Sequence, residues 1–504
     1  MVKGIGQWLI HHNNRRPEKT ALVYKDLRFT YQQLNERVNR LANSFNELGV
    51  RKGDRVHVLL FNRNELMETL FACAKIGAIF VPINFRLSAE EVAYIVNDAG
   101  GSVFIYEERV KPVVDQMKAQ VTSVRHYVQV DGELVDQRYE SLIENGENRE
   151  PAFEILLDEP HMMMYTSGTT GRPKGALLTH GNTQWNALNC IDGLPIDEQM
   201  ITLTVAPLFH IGGMNIFTTP LLYRGGTVIL EDVFHPRTTL EIVQKERVTS
   251  LFLVPAMWLA VMQFPNIEEY NLSSLTFSIS GGAPCPLTII EFFNSRGVPF
   301  YEGFGLTETA PVVAILDSDH IVSKSGSVGR PPIHVETAVV DPYGHPIPPN
   351  AVGELIVKGP HIFKEYWNKP EATKEAIKEG WFYTGDLAKQ DEDGFLYIVD
   401  RKKDMIITGG ENVYPIEVEQ ILFRHPNVRE AAVIGFPDEK WGESIKAVIA
   451  LKNPEEEMDI DVLKVFCDGK LASFKIPKVI EIVDELPRNA TGKVLKTVLR
   501  KMNG

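Results

Sequence analysis

The chain has 504 residues, of which 44% are hydrophobic and 23% are charged, a composition typical of a soluble globular enzyme with two to four domains. Its 38 Gly and 30 Pro are spread along the chain, which excludes a collagen-like or low-complexity protein. The formal net charge of −14 argues against a general nucleic-acid binder, because such proteins bind by neutralising phosphates. It does not exclude a local basic pocket for a small anion.

The cysteine usage and the chain termini bear on the cellular location. The four cysteines lie far apart and form no C-x-x-C pair, which favours a reducing compartment without a disulfide framework or a zinc site. The N-terminal apolar run is broken by Gly and Gln, so no signal peptide is expected, and residues 502–504 form no peroxisomal signal. Residues 201–222 are too interrupted by Pro, Gly and polar residues to span a membrane. We therefore expect a cytoplasmic protein with no transmembrane segment.

The first third of the chain has the rhythm of alternating helices and strands. Thr30 and Gln33 form a capping box, and apolar residues follow at helical spacing until Gly49. A buried strand is predicted at 56–61, a second helix from about Asn64, and another strand at 78–82. This order is typical of a sheet that is covered by helices.

The same αβ pattern returns further along the chain, and the texture then changes. From about residue 327 short strands are separated by Pro and Gly, which predicts a small β-rich subdomain over about 327–400. We place a boundary at the basic cluster 401–403, which predicts an N-terminal domain at 1–402 and a C-terminal domain at 403–504. The remaining predicted strands are 200–205, 226–230, 250–254, 275–280, 337–340, 353–358, 431–435 and 445–451.

The strongest local signal is the segment 165–175, YTSGTTGRPKG. Its glycines let backbone N–H groups converge on an anion, its hydroxyls add donors, and Lys174 supplies positive charge. The spacing differs from the mononucleotide P-loop because Pro173 precedes the lysine and Gly175 follows it. A solvated Gly/Ser loop is the alternative, but the dense hydroxyls and the Pro-Lys-Gly ending favour a phosphate site.

This segment resembles the phosphate-binding motif of the acyl-adenylate-forming superfamily, which includes acyl-CoA synthetases, peptide-synthetase adenylation domains and beetle luciferases. Further motifs similar to those of the family follow in the same order and extend the resemblance over essentially the whole chain. They lie at 206–213, 281–284, 301–309, 383–386 with 400–401, 409–412 and 487–493. The resemblance implies a large N-terminal domain of two αβ sheet subdomains with a small β-barrel-like subdomain, and a small, mobile α+β C-terminal domain.

The resemblance also implies a set of ATP-binding residues. The phosphates would lie against the first motif, adenine against the 281–284 turn and the 301–309 motif, and the ribose at Asp386 and Arg401. Thr307 would contact phosphate, Glu308 would hold Mg²⁺, and Lys493 would be the catalytic lysine that bridges the carboxylate and the α-phosphate. The remaining matched residues are Thr166, Ser167, Gly168, Thr169, Thr170, Gly171, Lys174, Gly281, Gly282, Ala283, Glu302, Gly303, Phe304 and Gly305.

These residue types suit the chemistry. Attack of a carboxylate on a phosphate brings two anions together, so the site needs cations and directed donors. A carboxylate such as Glu308 is a natural ligand for Mg²⁺, and an ionised Asp386 accepts two ribose hydroxyl hydrogen bonds. Taken alone, each residue has a plainer interpretation: Thr307 as a helix N-cap, Asp386 as a turn residue, Arg401 as a surface ion-pair partner. The ordered set of motifs favours the functional interpretation.

The second half-reaction is expected to use coenzyme A. By resemblance the C-terminal domain rotates about a hinge at Lys403, and a thiol enters past His210, Gly409 and Gly410. Histidine at 210 cannot supply the fixed negative charge that holds an α-amino group in peptide-synthetase domains, so an amino-acid substrate is not expected. The chain has no carrier domain after the last motif, which favours free coenzyme A as the acceptor.

The acid is predicted less sharply than the chemistry. Candidate walls of the acyl pocket are Trp185, Phe209, Gly213, Met214 and Trp258. They favour a medium- or long-chain fatty acid, so we predict an AMP-forming acyl-CoA synthetase that uses ATP with Mg²⁺ and coenzyme A. An aryl-CoA ligase, a luciferase-like oxygenase and a degenerate nucleotide-binding regulator are the alternatives. A homodimer is compatible with the sequence, and nucleic acid is not an expected partner.

Overall fold

The computed structural model describes residues 3–133, 136–166, 172–408, 411–438, 441–453, 455–456, 458–488 and 494–501. The chain forms two compact units. The first contains Met1–Thr337 and Val357–Phe382, and the second contains Ala338–Ile356 and Tyr383–Gly504. The second unit thus includes residues that precede residue 402, whereas the sequence predicts a division between residues 402 and 403. That division, and the mobility attached to it, stays a prediction.

The first unit contains two eight-stranded sheets. The central strands of the first sheet are parallel, and two antiparallel strands extend it beside the predicted phosphate motif. In spatial order its strands are Glu365–Tyr366, Lys174–Thr179, Pro160–Thr166, Ile79–Pro82, Arg55–Leu59, Val103–Tyr106, His126–Gln129 and Gln137–Arg138.

The second sheet is parallel over its six central strands and has one antiparallel strand at each edge. In spatial order its strands are Val312–Leu316, Phe300–Gly305, Phe277–Gly281, Ser250–Leu253, Ile201–Thr204, Thr227–Leu230, Thr20–Tyr24 and Leu27–Thr30. One buried apolar cluster contains residues of both sheets, such as Val56, Phe80, Val228 and Phe277. Because parallel strands end at a common edge, the loops that follow them are gathered there.

Helices cover both sheets of the first unit. They span Gln7–Arg15, Tyr31–Glu47, Asn64–Ile76, Ala89–Ala99, Lys111–Lys118, Tyr139–Asn145, His180–Gly193, Ile211–Gly213, Thr219–Arg224, Pro236–Glu246, Pro255–Met262, Leu287–Asn294 and Pro370–Ala376. Short 3₁₀ turns occur at Glu108–Val110, Ile267–Glu269 and Thr307–Thr309, and Met214–Thr218 is a π-helical turn. No helix among the described residues is long and apolar enough to cross a membrane.

A small β sheet and an α+β fold make up the rest of the chain. The small sheet contains Glu336–Val340, Gly353–Lys358, Trp381–Gln390 and Ile377–Lys378 in that order, with Leu396–Arg401 paired to Trp381–Gln390. The last sheet contains Glu411–Val413, Ile406–Thr408, Gly442–Leu451 and Val428–Asp438, with Val479–Ile482 added in parallel. Its helices are Pro415–Leu422, Ile460–Cys467 and Lys496–Lys501, with a 3₁₀ turn at Ser473–Lys475.

The fold class predicted from the sequence is confirmed: the chain is α/β with several sheets and a small α+β C-terminal domain. The capping box is present, because the Thr30 hydroxyl accepts a hydrogen bond from Gln33 N and the Gln33 side chain accepts one from Thr30 N. Two C-terminal strands are longer than predicted. Apolar runs mark only the buried middle of the hairpin, whereas its polar ends pair with each other as far as Asp438 and Gly442.

Candidate active site

The acyl motif forms a tight turn after a strand of the second sheet. The strand Ile201–Thr204 ends at Thr204, and residues 205–210 lead into the helical turn Ile211–Gly213. His210 is half-buried, and its Nδ1 accepts a hydrogen bond from Gly212 N at 3.3 Å. Gly213 is required at its position because a Cβ there would overlap the Ala206 and Pro207 carbonyl oxygens. The motif is therefore a closely packed backbone structure that presents Phe209 and His210.

The candidate pocket walls occupy different environments. Phe209 is half-buried and packs edge-on against Phe85, with the ring centroids 5.2 Å apart. Trp185 is half-buried, whereas Met214 is fully buried. Trp258 packs against the rings of Phe293 and Phe300 and donates a hydrogen bond to Ile279 O. Trp258 is fully buried, and its place among the pocket walls stays a prediction.

A buried asparagine network holds the far end of the acyl segment. Asn186 accepts a hydrogen bond from Val312 N and donates one to Asn215 O, while Asn215 donates to Ala310 O at 3.0 Å. Both asparagine side chains are fully buried, and each bonds to main-chain atoms. The network therefore joins the helix His180–Gly193, the acyl segment and the turn that follows Thr309.

The two predicted adenine motifs lie side by side at the carboxyl edge of the second sheet. Gly281 and Gly303 are parallel partners in neighbouring strands, and a Cβ on Gly281 would lie 3.1 Å from Gly303 O. Gly282 follows with a φ of +85°, which glycine adopts readily, and Gly282 and Ala283 are exposed. Phe304 is half-buried one residue beyond the pair. Both motifs thus contribute to one ledge of backbone.

Glu302 lies beneath this ledge as a buried acid. Its side chain is 5% exposed, and its Oε1 accepts a hydrogen bond from Cys285 N at 3.0 Å. Burial raises the pKa of Glu302 to about 8 because desolvation penalises the carboxylate form. Glu302 therefore closes the 282–285 loop onto the neighbouring strand as a protonated acid at neutral pH.

A second acid, Glu308, lies beside the predicted phosphate lysine. Glu308 Oε1 accepts a hydrogen bond of 2.7 Å from the Tyr366 hydroxyl, and no described residue donates to Oε2. The Lys174 ammonium lies 5.2 Å from the centre of the Tyr366 ring. Thr307 begins a 3₁₀ turn whose cap is Leu306, so it does not cap a helix. One tyrosine thus contacts both the candidate metal ligand and the candidate phosphate lysine.

The phosphate motif joins two antiparallel strands, with Thr166 opposite Lys174. Two residues of the helix Ala89–Ala99 hold its ends: Tyr165 donates to Asp98 Oδ2 at 2.8 Å, and Tyr94 donates to Pro173 O at 3.2 Å. Ser167, Gly168, Thr169, Thr170 and Gly171 lie outside the described residues.

The predicted ribose pair is formed in the second unit. Asp386 and Arg401 are partners across antiparallel strands, and Arg401 Nε lies 2.7 Å from Asp386 Oδ1. Asp386 N donates to the Thr384 hydroxyl, which in turn donates to Leu355 O. Lys403 is exposed just after the strand. Gly409, Gly410 and Lys493 lie outside the described residues.

Comparison with known proteins assigns the family. An AMP-binding enzyme model matches residues 9–367, and the model of its C-terminal domain matches residues 417–493. The chain belongs to the AMP-binding enzyme family. It is an AMP-forming acid–thiol ligase, and its reaction proceeds through an acyl-adenylate.

Its relatives act on different acids. A feruloyl-CoA synthase of Amycolatopsis is 41% identical over 100% of this chain and 99% of its own length. A long-chain-fatty-acid–CoA ligase of Mycobacterium tuberculosis is 37% identical over 99% and 98%, respectively. The structure of the anthranilate CoA ligase AuaEII in complex with anthranoyl-AMP has a TM-score of 0.92 at 28% identity, covering 99% of this chain and 97% of that one.

Sequence reasoning missed Tyr366. This residue is brought to Glu308 because the strand Glu365–Tyr366 pairs with Lys174–Thr179, with Tyr366 opposite Ala176. A two-residue strand has no detectable periodicity, so its pairing with a segment about 190 residues away cannot be read from local pattern. The segment between Pro360 and Pro370 also contains Phe363 and Trp367, so Tyr366 does not stand out in the local sequence.

Two glycine substitutions in the 301–309 motif are expected to differ in their effect on the stability of the fold. A Cβ on Gly305 would overlap Pro311 O, which is held by hydrogen bonds from Leu306 N and the Thr309 hydroxyl. A Cβ on Gly303 would lie 3.2 Å from the movable end of Ile279. We expect Gly305→Ala to destabilise the fold by about 1–3 kcal/mol and Gly303→Ala to destabilise it less. Thermal denaturation of both variants checks this, and equal midpoints would contradict it.

Glu302 predicts a pH dependence of stability. The pKa of Glu302 is about 8 in the folded protein and 4.5 ordinarily. Its contribution to the stability of the fold is therefore fully present below about pH 4.5 and is lost as the pH rises through 8. Glu302→Gln keeps an acceptor for Cys285 N without a titrating group. As the pH is raised from 5 to 8, we expect the thermal midpoint of the wild type to decrease relative to that of Glu302→Gln. Parallel pH profiles for the two proteins would refute the assignment.

Proposed function

We propose that the enzyme activates a planar aromatic carboxylic acid, of the arylpropenoate class that ferulate represents, and transfers the acyl group to coenzyme A. The observation that carries the choice of acid is the setting of Phe252. This ring is half-buried in the strand Ser250–Leu253, and a Cβ on Gly212 or Gly281 would lie only 3.2 or 3.4 Å from it. The acyl and adenine motifs therefore meet at one aromatic ring flanked by bare backbone.

An aromatic acid suits such a surface. Aromatic rings pack favourably edge-on or offset against one another. A planar acid has few rotatable bonds, so it loses little conformational entropy when it is confined. A second aromatic group lies directly before His210, where Phe209 packs edge-on against Phe85 and Phe85 stacks on Phe61 with the ring centroids 3.8 Å apart. The feruloyl-CoA synthase at 41% identity and the fold shared with the anthranilate ligase support the same class of acid.

The roles of the ATP-site residues are part of this proposal. Lys174 and Thr307 contact phosphate, and the ledge formed by Gly281, Gly282, Ala283, Gly303 and Phe304 receives adenine. Asp386, oriented by its ion pair with Arg401, accepts the ribose hydroxyl groups. His210 lies where the carboxylate and the thiol would both approach. Developing negative charge in the first step requires such fixed cations and donors.

The donor set fits a magnesium ion that arrives with ATP. Glu308 offers one oxygen while the Tyr366 hydroxyl fixes the other, and no group of three or more acidic, His or Cys side chains among the described residues could form an all-protein metal site. Mg²⁺ prefers this arrangement, in which one or two carboxylates complete a shell of water and phosphate oxygens. When bound, the ion would neutralise phosphate charge. Glu308 would hold it, and Tyr366 would orient Glu308.

A medium- or long-chain fatty acid, favoured by the sequence alone, is the second candidate. The fatty-acid ligase relative at 37% identity supports it, and fully buried Met214 could adapt to an apolar chain. A cytoplasmic location stays part of the proposal, and a homodimer stays a prediction from the sequence.

The substrate proposal predicts a clear order in an acid panel. Pyrophosphate release with ATP, Mg²⁺ and coenzyme A is measured with ferulate, cinnamate, benzoate, octanoate and palmitate. We expect kcat/KM for ferulate to exceed that for palmitate by about tenfold or more, a difference that pocket contacts can supply. Preference for palmitate would establish the second candidate. Turnover of none of these acids would contradict the proposed class of substrate.

The assignment of Lys493 predicts a separation of the two half-reactions. Lys493→Ala is expected to slow acyl-adenylate formation by about 10²–10³, because a donor to the developing charge is lost. Thioester formation from supplied feruloyl-adenylate is expected to continue, since that step needs a thiol rather than this lysine. Lys501→Ala, in the terminal helix, serves as the matched control. Equal loss in both half-reactions would refute the role of Lys493.

A further inference from the structure

The turn that carries His210 is held by a residue of the other eight-stranded sheet. Asn62 lies just beyond the strand Arg55–Leu59 of the first sheet and is 1% exposed. Its Nδ2 donates to Ala206 O at 3.0 Å, and its Oδ1 accepts from Leu208 N at 2.9 Å. Both ends of one amide thus bond to the backbone of the acyl motif, more than 140 residues away in the chain.

These bonds begin where those of the second sheet stop. The parallel partners of Ile201–Thr204 end at Thr204, and the chain then turns towards Phe209 and His210. Ala206 and Leu208 are both buried, so their polar groups need partners within the protein. The Asn62 side chain supplies one donor and one acceptor to this turn, as the backbone of a neighbouring strand would.

Aromatic packing from the same part of the first sheet supports the turn from its other side. Phe61, the residue before Asn62, stacks on Phe85, and Phe85 contacts Phe209 edge-on. Phe209 is the residue directly before His210. Asn62 therefore contacts the acyl motif directly through side-chain hydrogen bonds to its backbone, and its neighbour Phe61 supports the motif indirectly through Phe85.

We infer that Asn62 is a positioning residue for the acyl site, which sets where Phe209 and His210 lie relative to the bound acid. This inference rests on the proposed function for the role of the acyl motif. Asn62 itself does not reach the substrate, because both of its polar ends are occupied by the backbone of the turn. Its loss would shift the turn, and displacement of a positioned group by about 1 Å can slow a reaction by about 10²-fold.

Asn62→Ala tests the inference through a separation of KM values. With ferulate as the acid, we expect KM for ferulate to rise by about tenfold or more and KM for ATP to change by less than about twofold. Asn43→Ala is the matched control, because Asn43 is also buried and donates to two carbonyl oxygens, Glu147 O and Arg149 O, that belong to no site motif. It is expected to lower the thermal midpoint while leaving both KM values unchanged.

A double-mutant cycle with His210→Ala sharpens the test. If Asn62 acts by placing the turn, its substitution is expected to have a smaller effect on kcat/KM when His210 is already removed. Fully additive effects, equal rises in the two KM values, or an unchanged KM for ferulate would each overturn the inference.

Two further measurements keep the result decisive. If Asn62→Ala does not fold, Asn62→Ser retains one polar group and is expected to show the same separation of KM values in weaker form, whereas equal KM changes there would overturn the inference. Wild-type enzyme is assayed in parallel with ferulate and palmitate. Failure of the wild type with ferulate counts against the proposed substrate, and the variants are then compared with palmitate, for which the same separation is expected.

Discussion

The parallel pairing of Phe277–Gly281 with Phe300–Gly305 is the constraint on which the rest of the site depends. It places Gly281 opposite Gly303, so two motifs separated by about 20 residues in the chain share one edge of the sheet. Side chains at these positions would fill the space that the paired glycines leave open. The strand Ser250–Leu253 continues the same edge and brings Phe252 against Gly281 and Gly212. The predicted adenine and acyl motifs thereby meet at the ring of Phe252.

The two acids of the 301–309 motif show how local surroundings separate residues of one type. Glu302 points into the interior, where desolvation favours its neutral form and a backbone N–H occupies one oxygen. Glu308, six residues later, is held by the Tyr366 hydroxyl at the edge of the first sheet. The first therefore closes a loop, whereas the second is the proposed magnesium ligand. Motif matching groups the two residues together, but one bonds to a backbone N–H and the other to a tyrosine hydroxyl.

Sequence patterns predicted most of the architecture. Capping residues such as Thr30 and apolar runs such as 275–280 act over a few neighbouring residues, and their signals are local. The hairpin of Val428–Asp438 and Gly442–Leu451 was underestimated because its polar ends are held by cross-strand pairing. Tyr366 and Asn62 were missed altogether, since each acts on a segment more than 50 residues away. The acyl pocket, with Trp258 as one of its walls, stays a prediction, because composition alone does not distinguish a pocket wall from an aromatic residue packed in the core.

Asn62 bonds to carbonyl and amide groups of the acyl turn and to none of its side chains. These hydrogen bonds therefore do not involve the side chains at positions 206 to 208. Half-buried Phe209, just beyond them, can therefore be exchanged while the course of the backbone is retained. A support of this kind lets one scaffold diversify its substrate range by small steps, without rebuilding the part that handles ATP.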